Sequence, residues 1–239
     1  MTEQNKPSPF KSGDVIAGDA ELLATRLAHD VAEMLQRAID QQGRASLVVS
    51  GGSTPRPFLN QLSALDLAWE QVTVTLADER WVAPDHADSN DLFVHTHLLR
   101  GPAAAATFVS MKNNAATPEQ GWDECEAAIK AIDQPFDVTI LGMGGDGHTA
   151  SLFPHTEGLM DAIAPGCGKL TWPIRPAEPA QPRMSLTLDA LLASNALLLH
   201  ITGIQKQEVY GAALTAEPAT YPIAAVIKNS RKLQVYWSP

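Results

Sequence analysis

Apolar residues in the first part of the chain recur with helical spacing and then give way to a short unbroken run. Between Asp19 and Gln42 they occur at every fourth position, which is the spacing of an amphipathic helix. These positions are Leu23, Leu27, Val31, Leu35 and Ile39. Gly43 follows where a left-handed C-terminal cap is common, and the apolar run Ser46–Ser50 predicts a buried strand.

The same alternation of helical and strand patterns continues to the end of the sequence. Further strands are predicted at Val72–Leu76, Phe136–Leu141, Met184–Leu188, Asn195–Ile201 and Leu233–Trp237. Helices are predicted at Phe58–Leu65, Asp91–Leu99, Pro118–Ile132 and Lys206–Leu214. A capping box from Thr117 to Gln120 opens the third of these helices. We therefore expect an α/β fold, with a Rossmann-like, open, mostly parallel sheet and helices on both faces.

The sequence predicts one domain over residues 1–239. Its first residues show no recognisable targeting segment. The polar residues 1–14 are expected to form a flexible N-terminal segment without the apolar stretch of a signal peptide. Five prolines between Pro165 and Pro182 predict a long irregular connection. No apolar run approaches the length needed to cross a membrane.

Charge and cysteine content narrow the class of partner. The net charge of −10 argues against nucleic acid or an anionic membrane as the main partner. Cys125 and Cys167 are too few for a disulfide scaffold or a cysteine-rich zinc site, so we expect a reduced, cytoplasmic protein.

The histidines outside the glycine-rich segment show no pattern of a metal site. His95 and His97 are spaced too closely for zinc ligands on one helix face. His200 lies in an apolar run and is expected to be a hydrogen-bonded core residue.

Three polar segments each follow a predicted strand, at the edge where parallel sheets bind ligands. The first begins at Ser50, and its Gly51 and Gly52 allow the backbone to approach a ligand closely. Ser53 and Thr54 add donors for an anion at a helix start. The segment matches neither a P-loop nor a dinucleotide-binding motif. A tight turn with an ordinary serine or threonine cap is the plainer interpretation.

The other two segments carry groups suited to recognition and to proton transfer. Asp78 can accept a substrate hydroxyl and Arg80 can bind a phosphate, although a solvated ion pair is the alternative. The third segment holds four glycines together with Asp146 and His148. Histidine is suited to proton transfer near neutral pH, and a carboxylate can fix its tautomer. A glycine turn with a surface histidine is the alternative here.

Together the segments resemble the 6-phosphogluconolactonase family, the lactone hydrolases of the pentose phosphate pathway. The resembling stretches are Ser50–Pro55, Ala77–Val82, Asp88–Asn90, Gly142–Pro154, Arg183–Leu188 and Thr202–Lys206, spread over residues 15–237. The run Asp146–Pro154 is long enough to be specific. His155 departs from the family, in which we expect glycine at that position.

The aminosugar-phosphate isomerases and deaminases share these loops and are the alternative. In that family Asp-Gly-His leads into Phe-Asn-Glu, which sets a glutamate beside the histidine for ring opening and proton transfer. Phe153 stands at the position of that glutamate in this sequence. Because phenylalanine cannot transfer a proton, the difference favours lactone hydrolysis.

The resemblance implies hydrolysis of 6-phospho-D-glucono-1,5-lactone by a water that His148 deprotonates. Asp146 would either orient the imidazole or bind a hydroxyl, and backbone amides near Gly144 and Gly145 are candidate oxyanion donors. The residues expected to bind the substrate and its phosphate are Gly51, Gly52, Ser53, Thr54, Asp78, Arg80, Gly144, Gly145, Arg183 and Lys206.

The expected partner is this small sugar-phosphate lactone, with no metal, no organic cofactor, no nucleic acid and no membrane. A monomer is slightly favoured over an oligomer. A different class of function is a non-catalytic sugar-phosphate sensor on the same scaffold. Binding alone would not require the pairing of Asp146 with His148, which speaks against the sensor.

Overall fold

The computed structural model describes residues 15–177 and 180–239, so the predicted flexible segment 1–14 lies outside the described residues. The strands are β1 (Val15–Ala17), β2 (Ala45–Val49), β3 (Val72–Leu76), β4 (Asp78–Arg80), β5 (Thr107–Val109), β6 (Phe136–Leu141), β7 (Thr171–Ile174), β8 (Arg183–Leu186), β9 (Ser194–Thr202) and β10 (Leu233–Ser238). The helices are α1 (Ala20–Gln42), α2 (Arg56–Leu62), α3 (Asn90–His97), α4 (Trp122–Lys130), α5 (Leu159–Ala162), α6 (Leu188–Leu192), α7 (Ile204–Ala213) and α8 (Ile223–Asn229).

Seven strands form one sheet in the order β1-β10-β9-β6-β2-β3-β5. Each neighbouring pair runs parallel, which confirms the predicted α/β fold. A smaller antiparallel sheet has the order β4-β8-β7. From β2 the chain proceeds outward to β3 and β5 and then returns to β6 on the other side of β2. Open α/β sheets bind ligands at such a reversal of strand order.

The centre of the large sheet is covered on both faces. Every residue of β2 and β6 is buried, as expected for parallel strands that lie between layers of helices. Helix α1 begins as predicted, with the Asp19 carboxylate accepting the Glu21 amide at 3.0 Å. It ends at Gly43, whose φ is 75°. Among the described helices, none is both long and apolar enough to cross a membrane.

Several segments differ from the sequence prediction, including the predicted strand Met184–Leu188, whose last residue starts α6, and in three of the others tertiary contacts determine the structure. Helix α4 begins at Trp122 rather than at Pro118, since the Thr117 side chain closes only a single turn, accepting the Gln120 amide at 3.4 Å. Asp78–Arg80 forms β4 instead of a loop, by pairing with β8. The proline-rich connection contains β7, which also pairs with β8.

His200 lies in the core as predicted but lacks the expected complete set of hydrogen bonds. Its side chain is on β9, where only 4% of the residue is exposed, and its ring meets that of Phe58 edge-on at 6.4 Å. Its Nδ1 has no hydrogen-bond partner among residues 15–177 and 180–239. Burial, together with the charge of Lys206, lowers the pKa of His200 to about 4.

This low pKa makes His200 a source of acid sensitivity. The unfolded chain gains a proton here near pH 6.5 but the folded chain only near pH 4. Stability is therefore lost as the pH falls from 6.5 towards 4, by up to about 3 kcal/mol. We expect His200→Gln to lose less unfolding free energy than the unmodified chain when urea denaturation is compared at pH 7 and pH 4.5. The exposed His29→Gln is the matched control, and an equal loss in all three proteins would contradict the prediction.

Candidate active site

A cleft of about 250 Å³ opens where the chain leaves β2, β3, β6 and β9. The predicted residues that line it are Gly51, Gly52, Ser53, Thr54, Asp78, Arg80, Gly144, His148, Arg183 and Lys206. Asp146 stands beside the cleft, hydrogen-bonded to His148. Gly145 is not part of the lining. The predicted residues therefore bring five separate segments of the sequence together at the reversal point of the large sheet.

The imidazole of His148 is held by its neighbour Asp146. The distance from His148 Nδ1 to Asp146 Oδ1 is 2.6 Å, and the His148 amide donates to the same oxygen at 3.1 Å. Because an ionised carboxylate only accepts, this pairing puts the hydrogen on Nδ1 and leaves the lone pair on Nε2. The hydrogen bond from His148 holds the pKa of Asp146 below its usual range. The pair is thus arranged as a base with an orienting carboxylate.

The glycines after β6 allow close approaches that a larger residue would block. A Cβ at Gly144 would overlap the imidazole of His148. Gly147 has a φ of +76°, and a Cβ there would overlap the ring of Tyr221. The Gly144 amide donates to the His148 carbonyl at 2.9 Å. It is therefore not the free oxyanion donor that the sequence suggested, and Gly145 lies outside the cleft.

Three cations gather in the cleft of this acidic protein. Arg80 and Arg183 are direct partners across the β4–β8 pair, and the Nε of each is buried without a hydrogen-bond partner among the described residues. Like charges placed opposite each other destabilise a sheet. Burial lowers the pKa of Lys206, which forms no ion pair within the described part of the chain. An anionic ligand would offset the cost of bringing these charges together.

The carboxylate of Asp78 is buried at the base of the cleft and is already engaged by protein groups. Only 6% of the residue is exposed. Its Oδ2 accepts the Ser151 hydroxyl and lies 3.7 Å from Arg183 Nη1. Its backbone carbonyl accepts Asn90 Nδ2 at 2.8 Å. These contacts fix the position of Asp78 relative to the loop after β6, strand β8 and the start of α3.

Asn90 is a cleft residue that the sequence analysis did not single out. It begins α3, where the buried carboxylate of Glu79 accepts the amides of Asn90 and Asp91 at 2.8 and 2.7 Å and the Ser89 hydroxyl at 3.1 Å. Burial raises the pKa of Glu79 to about 7. A Cβ at Gly51 would overlap the Asn90 side chain. The sequence offered two signals, the resembling stretch Asp88–Asn90 and the helix-capping pattern at Ser89, but neither assigned a role to Asn90.

Comparisons with known proteins show the family to which the chain belongs. A family model described as glucosamine-6-phosphate isomerases/6-phosphogluconolactonase matches residues 18–237. The chain is 41% identical to a 6-phosphogluconolactonase from Pseudomonas aeruginosa, over 97% of each protein. It is 39% identical to one from Mesorhizobium japonicum, over 92% of this chain and 93% of that protein.

A solved structure gives the same result for the fold. A 6-phosphogluconolactonase from Shewanella baltica superimposes with a TM-score of 0.92 at 39% identity, over 96% of this chain and 99% of that one. The resemblance found in the sequence is thereby confirmed. The chain belongs to the family of glucosamine-6-phosphate isomerases and 6-phosphogluconolactonases.

Proposed function

We propose that the chain hydrolyses 6-phospho-D-glucono-1,5-lactone to 6-phosphogluconate, a step of the oxidative pentose phosphate pathway. The observation that carries this proposal is the position of His148. Its imidazole, hydrogen-bonded to Asp146 at 2.6 Å, lines the same cleft as three cations. A general base and a site for an anion are what hydrolysis of a phosphorylated lactone requires. The names of the relatives support the same reaction.

In the proposed reaction, His148 moves a proton twice. Its Nε2 takes a proton from water as the water oxygen forms a bond to C1 of the lactone. The resulting tetrahedral intermediate collapses with cleavage of the bond between C1 and the ring oxygen. The imidazolium then returns the proton to the departing ring oxygen. Asp146 accepts a hydrogen bond from Nδ1–H throughout and stabilises the imidazolium that forms between the two transfers.

The phosphate is proposed to lie away from C1, among the cations. Arg80, Arg183 and Lys206 all line the cleft, as do Ser53 and Thr54. A guanidinium can donate two parallel hydrogen bonds to a phosphate, and each arginine has an unpaired Nε among the described residues. Asp78 also lines the cleft and is proposed to accept a sugar hydroxyl.

The contacts of His148 favour hydrolysis over the isomerase and deaminase reactions of the same family. Its ring lies 4.4 Å from that of Phe153, which offers no second proton-transfer group. A non-catalytic sensor is disfavoured because a phosphate site alone has no use for the oriented imidazole. The cytoplasmic location, the lack of a nucleic-acid partner and the monomeric state stay predictions of the sequence.

A paired assay of the purified protein tests the proposed function. We expect opening of freshly prepared 6-phosphogluconolactone above the spontaneous rate, followed through coupled oxidation of the phosphogluconate. We expect no ammonia from glucosamine 6-phosphate under the same conditions. Ammonia release would favour the deaminase, and binding of sugar phosphates without either reaction would favour the sensor.

His148→Ala tests the proton-transfer role. Because general acid–base catalysis contributes ~10²–10⁴ in rate, we expect kcat to fall at least about a hundredfold. The thermal unfolding midpoint should stay near that of the unmodified chain, since His148 lies on a partly exposed turn. The exposed His29→Ala is the control and should retain full activity. Near-normal turnover by His148→Ala would remove this residue from the mechanism.

Lys206→Ala tests the phosphate site. A hydrogen bond to a charged group contributes about 1.5–3 kcal/mol, so we expect KM for the phosphorylated lactone to rise roughly tenfold or more. Turnover of unphosphorylated gluconolactone should change little, because it lacks the group that Lys206 binds. Lys130→Ala, which removes an exposed lysine of α4, is the matched control. An unchanged preference for the phosphorylated substrate would contradict the assignment.

A further inference from the structure

The ring of Phe153 contacts two functional side chains of the cleft without lining the cleft itself. Its centroid lies 4.4 Å from that of the His148 imidazole, with the two planes tilted by 39°. The guanidinium carbon of Arg183 lies over the same phenyl ring, 5.0 Å from its centroid. Phe153 is half-buried and is absent from the lining of the cleft. Any effect on the reaction must therefore pass through these two neighbours.

On the side of His148, one hydrogen bond does not fix the plane of an imidazole. The bond from Nδ1 to Asp146 anchors one atom of the ring, and small rotations about the Cβ–Cγ bond can still tilt its plane. The backbone of Gly144 approaches the ring so closely that a Cβ there would overlap it. Contact with Phe153 supplies a further restraint. Asp146, Gly144 and Phe153 together hold the plane of the ring and leave Nε2 without a partner among the described residues.

On the side of Arg183, the aromatic ring supplements incomplete hydrogen bonding. The side chain of Arg183 is only 16% exposed, and its Nε has no partner among residues 15–177 and 180–239. Its closest carboxylate oxygen, on Asp78, is 3.7 Å away. A cation placed over a phenyl ring is attracted by the ring's electrons, more strongly where water is excluded. The ring of Phe153 thus stabilises Arg183 while its donors stay available to an anion.

We propose that Phe153 is a positioning residue that holds His148 and Arg183 in their working orientations through its aromatic face. The proposal rests on the proposed function for the role of the two side chains, but the contacts themselves can be tested without turnover. If Phe153 only filled space, any apolar residue of similar size would serve. If the aromatic face matters, tyrosine replaces phenylalanine and leucine does not.

The test compares Phe153→Leu with Phe153→Tyr in the full chain. Three quantities are measured for each: the imidazole proton signals of His148 by NMR, the affinity for inorganic phosphate, and kcat for lactone opening. The His148 signals are assigned by their absence in His148→Ala. Thermal unfolding midpoints establish that both variants are folded.

For Phe153→Leu we expect the His148 signals to shift, because the ring current of the phenyl group is lost. Phosphate should bind about two- to fivefold more weakly, the size of a lost cation–π contact. A slight misplacement of the base should lower kcat by about tenfold. Phe153→Tyr should restore phosphate affinity and kcat to within about twofold of the unmodified chain.

Two results would overturn the proposal. One is a Phe153→Leu variant with unchanged phosphate affinity and kcat. The other is an equal loss in Phe153→Leu and Phe153→Tyr, which would show that only the fit of the side chain matters. If the unmodified chain opens no lactone, the proposed function fails. The phosphate affinities of the two variants then still decide whether the aromatic face of Phe153 holds Arg183.

Discussion

The pairing of β2 with β6 determines where the functional parts of the molecule meet. The two buried strands align Leu47 with Val138 and Val48 with Thr139, and side chains fix both ends of the pair. At one end the Asp137 carboxylate accepts the amide and hydroxyl of Ser46, at 2.8 and 3.1 Å. At the other the Ser50 hydroxyl donates to a β6 carbonyl at 3.1 Å. Because a slip by one residue would turn every side chain to the opposite face, these contacts also fix the two glycine loops side by side.

The small sheet explains how an acidic chain builds a positive cleft. Arg80 and Arg183 are opposite each other only because β4 and β8 pair antiparallel. Asp78, two residues before Arg80 on β4, accepts a hydrogen bond from Ser151 and lies near Arg183. Strand pairing thus places both arginines, and their side chains have separate partners: Arg183 lies near the buried Asp78 carboxylate, whereas Arg80 donates to the Asp88 carbonyl at 2.5 Å. An anion entering the cleft meets donors that are already oriented, which lowers the entropic cost of binding.

Sequence patterns predicted the large sheet well because each of its central strands is a local apolar run. Val72–Leu76 and Phe136–Leu141 have the predicted bounds. The small sheet was not predicted because β4 is short and polar and because its partner strand, β8, lies far along the chain. The three loops of the cleft follow from the positions of the strands. The position of Asn90 could not be predicted in this way. It depends on a hydrogen bond from the Asn90 amide to the buried carboxylate of Glu79, and this contact exists only in the folded chain.

Within the glycine turn, too, the sequence predicts which residues are present but not which contacts they make. The sequence shows glycines, an aspartate and a histidine in a row, which is enough to suggest a base with its orienting carboxylate. It does not show that the Gly144 amide is occupied by the His148 carbonyl, because that bond depends on how the turn closes. The glycine is needed for the space it leaves to the imidazole rather than for its own donor.

The surroundings of His148 also limit which chemistry the turn can support. One carboxylate, that of Asp146, is hydrogen-bonded to the imidazole, and the phenyl group of Phe153 and the backbone of Gly144 also lie close to the ring. Isomerisation of an aminosugar requires protons to move at separate atoms of the substrate, which favours two transfer groups. Lactone hydrolysis takes a proton from the attacking water and gives it back to the ring oxygen, so a single imidazole can perform both steps. One oriented histidine beside an aromatic ring therefore fits the proposed hydrolysis better than it fits isomerisation.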